Sequence, residues 1–190
     1  MDNRAKGFIF IFFIIGFILL SVYWQNISDI HKNIIERQDY NCITKTEEKT
    51  VRGTSLTGLI ENGQNVNILF DYYNCNEIKK WDVVVYDYAG NDNLIIKIVK
   101  GLPGDKFSLE KTERGWNILI NNEIVKNSKN QSYLLNQKSY QMLSLYERDY
   151  KGIIPETTYL ILGNLAKGSL DSTKFGLVGK GDITGKVEFN

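Results

Sequence analysis

Two residues able to do covalent chemistry sit in unusual settings. Lys97 lies within Leu94-Ile95-Ile96-Lys97-Ile98-Val99, an aliphatic run that reads as a strand buried on both faces. Burial disfavours an ammonium ion, lowers its pKa and yields a neutral amine able to accept a proton. A lysine at a strand edge would instead reach its charge into water and do no chemistry; the run alone does not choose. Ser55 lies in Arg52-Gly53-Thr54-Ser55-Leu56, a glycine-containing loop leading into an apolar stretch. Such a loop can aim backbone N–H groups at a developing oxyanion. Taken alone, the segment is more simply an ordinary turn serine.

Elimination narrows the chemistry. The chain has one histidine, His31, in a polar stretch where it reads as solvated. A Ser-His-Asp triad or a Cys-His pair would have to recruit that residue, and an H-E-x-x-H site is impossible. Two cysteines without a neighbouring histidine do not suggest zinc, so neither metal nor cofactor is expected. With 23 Lys+Arg against 22 Asp+Glu, no basic footprint for nucleic acid stands out. A serine hydrolase built from this chain needs another base, and lysine is the usual substitute.

The elements that must position these residues follow from patterning. Phe8 to Trp24 carries no charge and would span roughly 25 Å as a helix, close to a bilayer's hydrocarbon thickness. It reads as a membrane anchor, with Tyr23 and Trp24 in an aromatic belt. Arg4 and Lys6 precede the span, which favours a cytoplasmic N-terminus with the bulk of the chain outside. Ile27, Ile30, Ile34 and Ile35 recur at helical spacing as a stalk, and Thr44–Thr50 reads as a polar linker. Residues 1–24 are thus expected to be the N-terminus and anchor, 25–50 stalk and linker, and 51–190 one mostly β domain. Strands are expected at Val66–Phe70, Val83–Tyr86, Leu94–Val99, Trp116–Ile120, Glu123–Val125, Tyr159–Leu162 and Lys186–Phe189. Asn121-Asn122 suits a two-residue hairpin turn, and Pro103-Gly104 a type II turn. Residues 126–151 form a polar, tyrosine-rich excursion with room for one short helix. Cys42 and Cys75 either pair outside the cytoplasm or stay free thiols.

Read in order, these pieces resemble the type I signal peptidase family over nearly the whole chain. Val51–Ile60 stands where the family carries its S-M-x-P-T-L nucleophile motif, and Trp81-Asp82-Val83-Val84-Val85-Tyr86 resembles its G-D-[IV]-V strand. Ile96-Lys97-Ile98-Val99-Lys100-Gly101-Leu102-Pro103-Gly104-Asp105 is close to its K-R-V-x-G-x-P-G-D block, and Asn117–Val125 resembles its L-x-V-N-G hairpin. Ile154-Pro155, Tyr159–Asn164, Ser169-Leu170-Asp171-Ser172 and Phe175-Gly176-Leu177-Val178 match its C-terminal block.

The resemblance implies a fold of antiparallel sheets, with the catalytic domain held outside the cell membrane by one span. It implies Ser55 as nucleophile and Lys97 as general base, Ser169 orienting the lysine amine, and Asp171 as a support. Leu56, Leu59 and Ile60 are candidates to line substrate pockets or touch the bilayer. Partners would be the lipid bilayer and exported preproteins with signal peptides, bound extended with small residues at the first and third positions before the cut. Several positions depart from the pattern. Leu56 replaces methionine and Gly58 a proline, Asn164 stands for aspartate, and Leu165-Ala166-Lys167 lacks the family's N-R. Gly53 removes a side-chain oxyanion donor present in some relatives. Thr173 takes an arginine position, leaving Lys174 as a candidate partner for Asp171. A specialised, conjugation-associated peptidase and a partner-binding β domain without catalysis are the alternatives these departures leave open. A self-cleaving repressor-type protease would need a DNA-binding domain where this chain has an apolar span.

Overall fold

The computed structural model describes residues 16–29, 41–88 and 94–189. These fall into two units, Met1–Asn41 and Cys42–Asn190. In the first, helix α1 covers residues 16–29, and its apolar side chains, among them Phe17, Leu19, Tyr23 and Trp24, are exposed. Residues 8–15 of the expected anchor lie outside the described residues, as do Ile30, His31, Ile34 and Ile35. Among the described residues no helix is long and apolar enough to cross a membrane.

The second unit is mostly antiparallel β-sheet. Its strands are β1 (Lys45–Thr50), β2 (Asn65–Phe70), β3 (Val83–Asp87), β4 (Leu94–Gly101), β5 (Phe107–Thr112), β6 (Gly115–Ile120), β7 (Glu123–Ile124), β8 (Leu134–Leu135), β9 (Thr158–Leu162), β10 (Val178–Gly179) and β11 (Ile183–Glu188). Helices α2 (Gln137–Asp149) and α3 (Ser172–Phe175) interrupt them. One sheet of seven strands runs β1-β2-β11-β3-β4-β9-β10, and a second of four joins β5, β6 and β7, with β8 also on β6.

The segment expected as a linker, Thr44–Thr50, is instead largely β1, paired along its length with β2. It has no apolar face because it is an edge strand exposed except at Glu47, where charged side chains discourage further pairing. Lys45 and Lys49 both reach Glu47 along it. The last strand begins at Ile183, earlier than expected, and its alternating burial carries Ile183, Gly185 and Val187 inward.

β4 is central in its sheet and buried from Lys97 to Gly101, while Leu94 at its start is exposed. It pairs with β3 from Leu94 to Ile98 and with β9 from Ile98 onward. Among the described residues, 94–97 therefore pair with a strand on one side alone. Ile98 joins a core with Leu56, Ile60 and Val85, whereas Val99 joins Val84 and Ile161 on the other face. A third cluster packs Leu143 of α2 against Ile118, Tyr133 and Leu160.

Local chemistry sets the turns. Asn121 and Asn122 both have positive φ (53° and 67°) between β6 and β7, as a tight hairpin turn requires. At Pro103-Gly104, Gly104 takes φ 81° and the Asp105 N–H donates to Leu102 O at 3.1 Å. Cys42 and Cys75 form a disulfide across 33 residues, a loop whose closure contributes roughly 3–4 kcal/mol in the chain-entropy picture.

Candidate active site

Lys97 is paired with Val84 on β3 and is 2% exposed. Its Nζ donates to Ser55 Oγ at 3.1 Å and to Ile96 O at 2.7 Å. Burial lowers its pKa to about 8, partly opposed by the Asp171 carboxylate. At that value about a tenth of the amine is neutral at pH 7, against well under a thousandth for an ordinary lysine.

The Ser55 loop is held at both ends. Leu56 and Ile60 are buried in the core, and the Leu59 and Ile60 N–H groups donate to Leu56 O at 2.9 and 3.0 Å. Upstream, the Gly53 N–H donates to Asn62 Oδ1 at 2.9 Å. Gly58 sits at φ 87°, which a proline ring fixed near −65° cannot adopt. The loop therefore takes its own path where the family pattern places proline. Among the described residues, the Ser55 N–H donates to no protein group.

Asp171 organises the other wall. Fully buried, it accepts at Oδ2 from Gly163 N (3.0 Å), Ser169 N (3.2 Å) and Ser169 Oγ (2.7 Å). At Oδ1 it accepts from Thr173 N (3.0 Å) and Thr173 Oγ1 (2.7 Å). Two expectations are corrected here. The Ser169 hydroxyl bonds Asp171 rather than the Lys97 amine, because Asp171 lies two residues along the same tight turn. Lys174 does not partner Asp171 either, since its Nζ donates to Ser139 Oγ on α2 at 3.0 Å. Thr173 serves the carboxylate instead. Gly163 must lack a side chain: a Cβ there would lie 2.3 Å from Ser169 Oγ and 2.8 Å from Ser55 O.

The polar excursion braces this arrangement. The Asn164 N–H donates to Ser55 O at 2.6 Å, and its side-chain amide donates to Thr57 O and Ser128 Oγ at 3.0 and 2.7 Å. Ser128 returns its N–H to Asn164 Oδ1 at 2.9 Å and its hydroxyl to Gly58 O at 3.3 Å. Asn127 donates to Asn164 O at 2.9 Å, and the Tyr133 hydroxyl to Gly163 O at 2.5 Å. Asn127, Ser128 and Tyr133 thus join the site without any local sequence signal, beside Asn164, which the family's C-terminal block had marked.

Ser55 and Lys97 open on a cavity of about 700 Å³ lined by Val51, Leu56, Ile68, Ile95 and Ile96, among others. Of the three apolar residues expected to line substrate pockets, only Leu56 faces it. Ile60 is committed to the core, and Leu59 borders a different, smaller hollow beside Trp81 and Phe189.

The family model described as "Signal peptidase, peptidase S26" matches residues 7–190. "Signal peptidase IB" of Staphylococcus aureus strain Mu50 is 29% identical over 153 residues, covering 74% of each chain. "Signal peptidase I" of Bacillus caldolyticus is 28% identical over 142 residues, covering 73% of this chain and 75% of its own. A solved signal peptidase I from Enterococcus faecalis V583 aligns with a TM-score of 0.41 at 22% identity, over 60% of this chain and 98% of that one.

Proposed function

Since the chain belongs to the signal peptidase family, peptidase S26, we propose that it removes signal peptides from exported preproteins as a membrane-anchored serine endopeptidase using Ser55 and Lys97. One observation carries the assignment: a buried amine of lowered pKa lies 3.1 Å from a serine hydroxyl at the edge of a cavity.

The reaction is acyl transfer. The neutral Lys97 amine takes the Ser55 proton as Oγ attacks the scissile carbonyl. The Ser55 N–H, which has no acceptor among the described residues, meets the oxyanion. The resulting ammonium returns its proton to the leaving amine, the peptide C–N bond breaks and an acyl-serine remains. Water then attacks that ester, with Lys97 taking its proton and passing it to Ser55 Oγ. Asp171 tempers the base: its carboxylate keeps the Lys97 pKa from falling further, so the amine retains basicity. An extended substrate fits beside residues 94–97 of β4, where one edge pairs with no strand among the described residues, with Leu56, Ile95 and Ile96 lining the groove. The uncharged stretch from Phe8 to Trp24 is the proposed single span, placing the β domain outside the cytoplasm.

The test is cleavage of a leader substrate with small residues at the first and third positions before the cut, using the full chain in detergent. Wild type should cleave it, while Ser55→Ala and Lys97→Ala, folded by circular dichroism, should not. A folded wild type that leaves a broad panel of leaders intact would replace this reading with a non-catalytic, partner-binding β domain.

A further inference from the structure

Lys100 is a second buried amine on β4, and the proposed cleavage gives it no task. It is 0% exposed. Its Nζ donates to Lys126 O at 2.9 Å and sits 3.3 Å from the centre of the Trp81 ring. Burial, with Lys80 nearby, lowers its pKa to about 7. One carbonyl, the face of the Trp81 ring and the more distant Tyr133 ring are thin compensation for burying a group with three donors.

The residue that carries the ring has a strained backbone. Trp81 has φ 76°, a left-handed backbone that bulky residues rarely adopt. Its N–H is fixed on Val99 O at 2.8 Å, so the turn is pinned to the strand that carries Lys100. Trp81 as a whole is 51% exposed.

Both residues line a cavity of about 800 Å³, within the size range of small-molecule sites. Lys80, Lys100 and Lys126 face it against one carboxylate, Glu123; Ile120, Ile124 and Val125 supply apolar wall. Backbone strain, a buried titratable group and a cavity converge here, as they do at binding sites.

We propose that this cavity binds a carboxylate carried on a short apolar chain. The Trp81 indole turns aside, the carboxylate pairs with the Lys100 amine, and the chain lies along Ile120, Ile124 and Val125. A neutral ligand would leave the amine uncompensated, and the excess of lysines over Glu123 selects a negative one. The source is either a free fatty acid or the C-terminus of an apolar peptide. Because a bound anion favours the ammonium form, binding takes up a proton and weakens as pH rises past neutrality. Lys80, Lys126 and Glu123 also face the ligand, and the Tyr133 ring lies 5.8 Å from the Lys100 amine.

The test titrates the full chain in detergent with hexanoate, hexanamide and an N-acetylated Ala-Leu-Ala peptide bearing a free or amidated C-terminus. Binding is read by calorimetry and tryptophan fluorescence, with Trp81→Phe assigning the optical signal. At least one acid should bind ten-fold or more tighter than its amide, and ten-fold or more tighter at pH 6.5 than at pH 8.5. Whichever acid binds tighter identifies the source. Lys100→Met should abolish the preference for acid over amide. Should that variant fail to fold, Lys80→Ala combined with Lys126→Ala should weaken the acid several-fold and Glu123→Gln should tighten it. Acids and amides binding alike, no binding at millimolar ligand, or acid binding unchanged in a folded Lys100→Met or, failing that, in the double-alanine variant would overturn the proposal.

Discussion

Lys97 and Lys100 stand three residues apart on β4, both buried and both with pKa values pulled well below that of a free lysine. Their surroundings differ in kind. Lys97 faces a hydroxyl at 3.1 Å and feels a carboxylate, Asp171. Lys100 faces a carbonyl and an indole and feels another lysine. Burial alone lowers the pKa of an amine; in the proposed mechanism a proton donor within reach is what lets Lys97 act as a base. The excursion serves the first lysine through Ser128, which is bonded to Asn164, and walls in the second through Lys126 and Asn127.

The sharpest way to break the comparison is to exchange each lysine for methionine. Lys97→Met should lower kcat/KM by about a thousand-fold, a typical general-base contribution. Lys100→Met should stay within a few-fold of wild type. Lys97→Arg should be as inactive as Lys97→Met, because a guanidinium does not give up its proton at these pH values. Equal losses at positions 97 and 100 would erase the distinction.

Asp171→Asn comes next. It leaves an amide among five donors and should destabilise the fold by about 3 kcal/mol in chemical denaturation. Removing the carboxylate also removes what holds the Lys97 pKa up, so the acid limb of the cleavage profile should move to lower pH. An unmoved limb would detach Asp171 from the base.

Stability against pH tests both lysines together. Their folded pKa values, about 8 and about 7, lie below the unfolded value of 10.5. Between those limits the unfolded chain binds more protons, so stability should rise as pH increases from about 7 to 9.5 and fall as pH drops through the folded values. Denaturation midpoints at pH 7 and 9.5 should differ less in either methionine variant than in wild type. The smallest effect is expected at Gly53. Its φ of 95° makes Gly53→Ser cost about 1 kcal/mol, and leader cleavage should gain nothing from the added hydroxyl.

What was legible in the sequence follows from how local each signal is. The hydrophobic run around Lys97, the Asn121-Asn122 hairpin and the Pro103-Gly104 turn are set by neighbours in the chain, and they read correctly. β1 escaped because an edge strand needs no apolar face. β5 escaped because Phe107 and Leu109 are followed at once by exposed Glu110 and Lys111, so its burial does not alternate. The two-residue strands β8 and β10 exist through tertiary pairing alone. The bracing by Asn127, Ser128 and Asn164 rests on side-chain bonds between residues 36 to 107 positions apart, which no periodicity announces. Ser55 and Lys97, 42 residues apart, were joined by family resemblance rather than by spacing. The paired cysteines and the buried state of Lys100 became visible only in three dimensions.

The central claim is that the Lys97 amine takes the Ser55 proton, and the pH dependence of kcat/KM for leader cleavage tests it most directly. Activity should rise with pH along a single limb with apparent pKa about 8 and then level off, and Lys100→Met should keep that limb in place. A profile flat between about pH 6 and 9.5, or a limb that vanishes in Lys100→Met, would contradict the assignment.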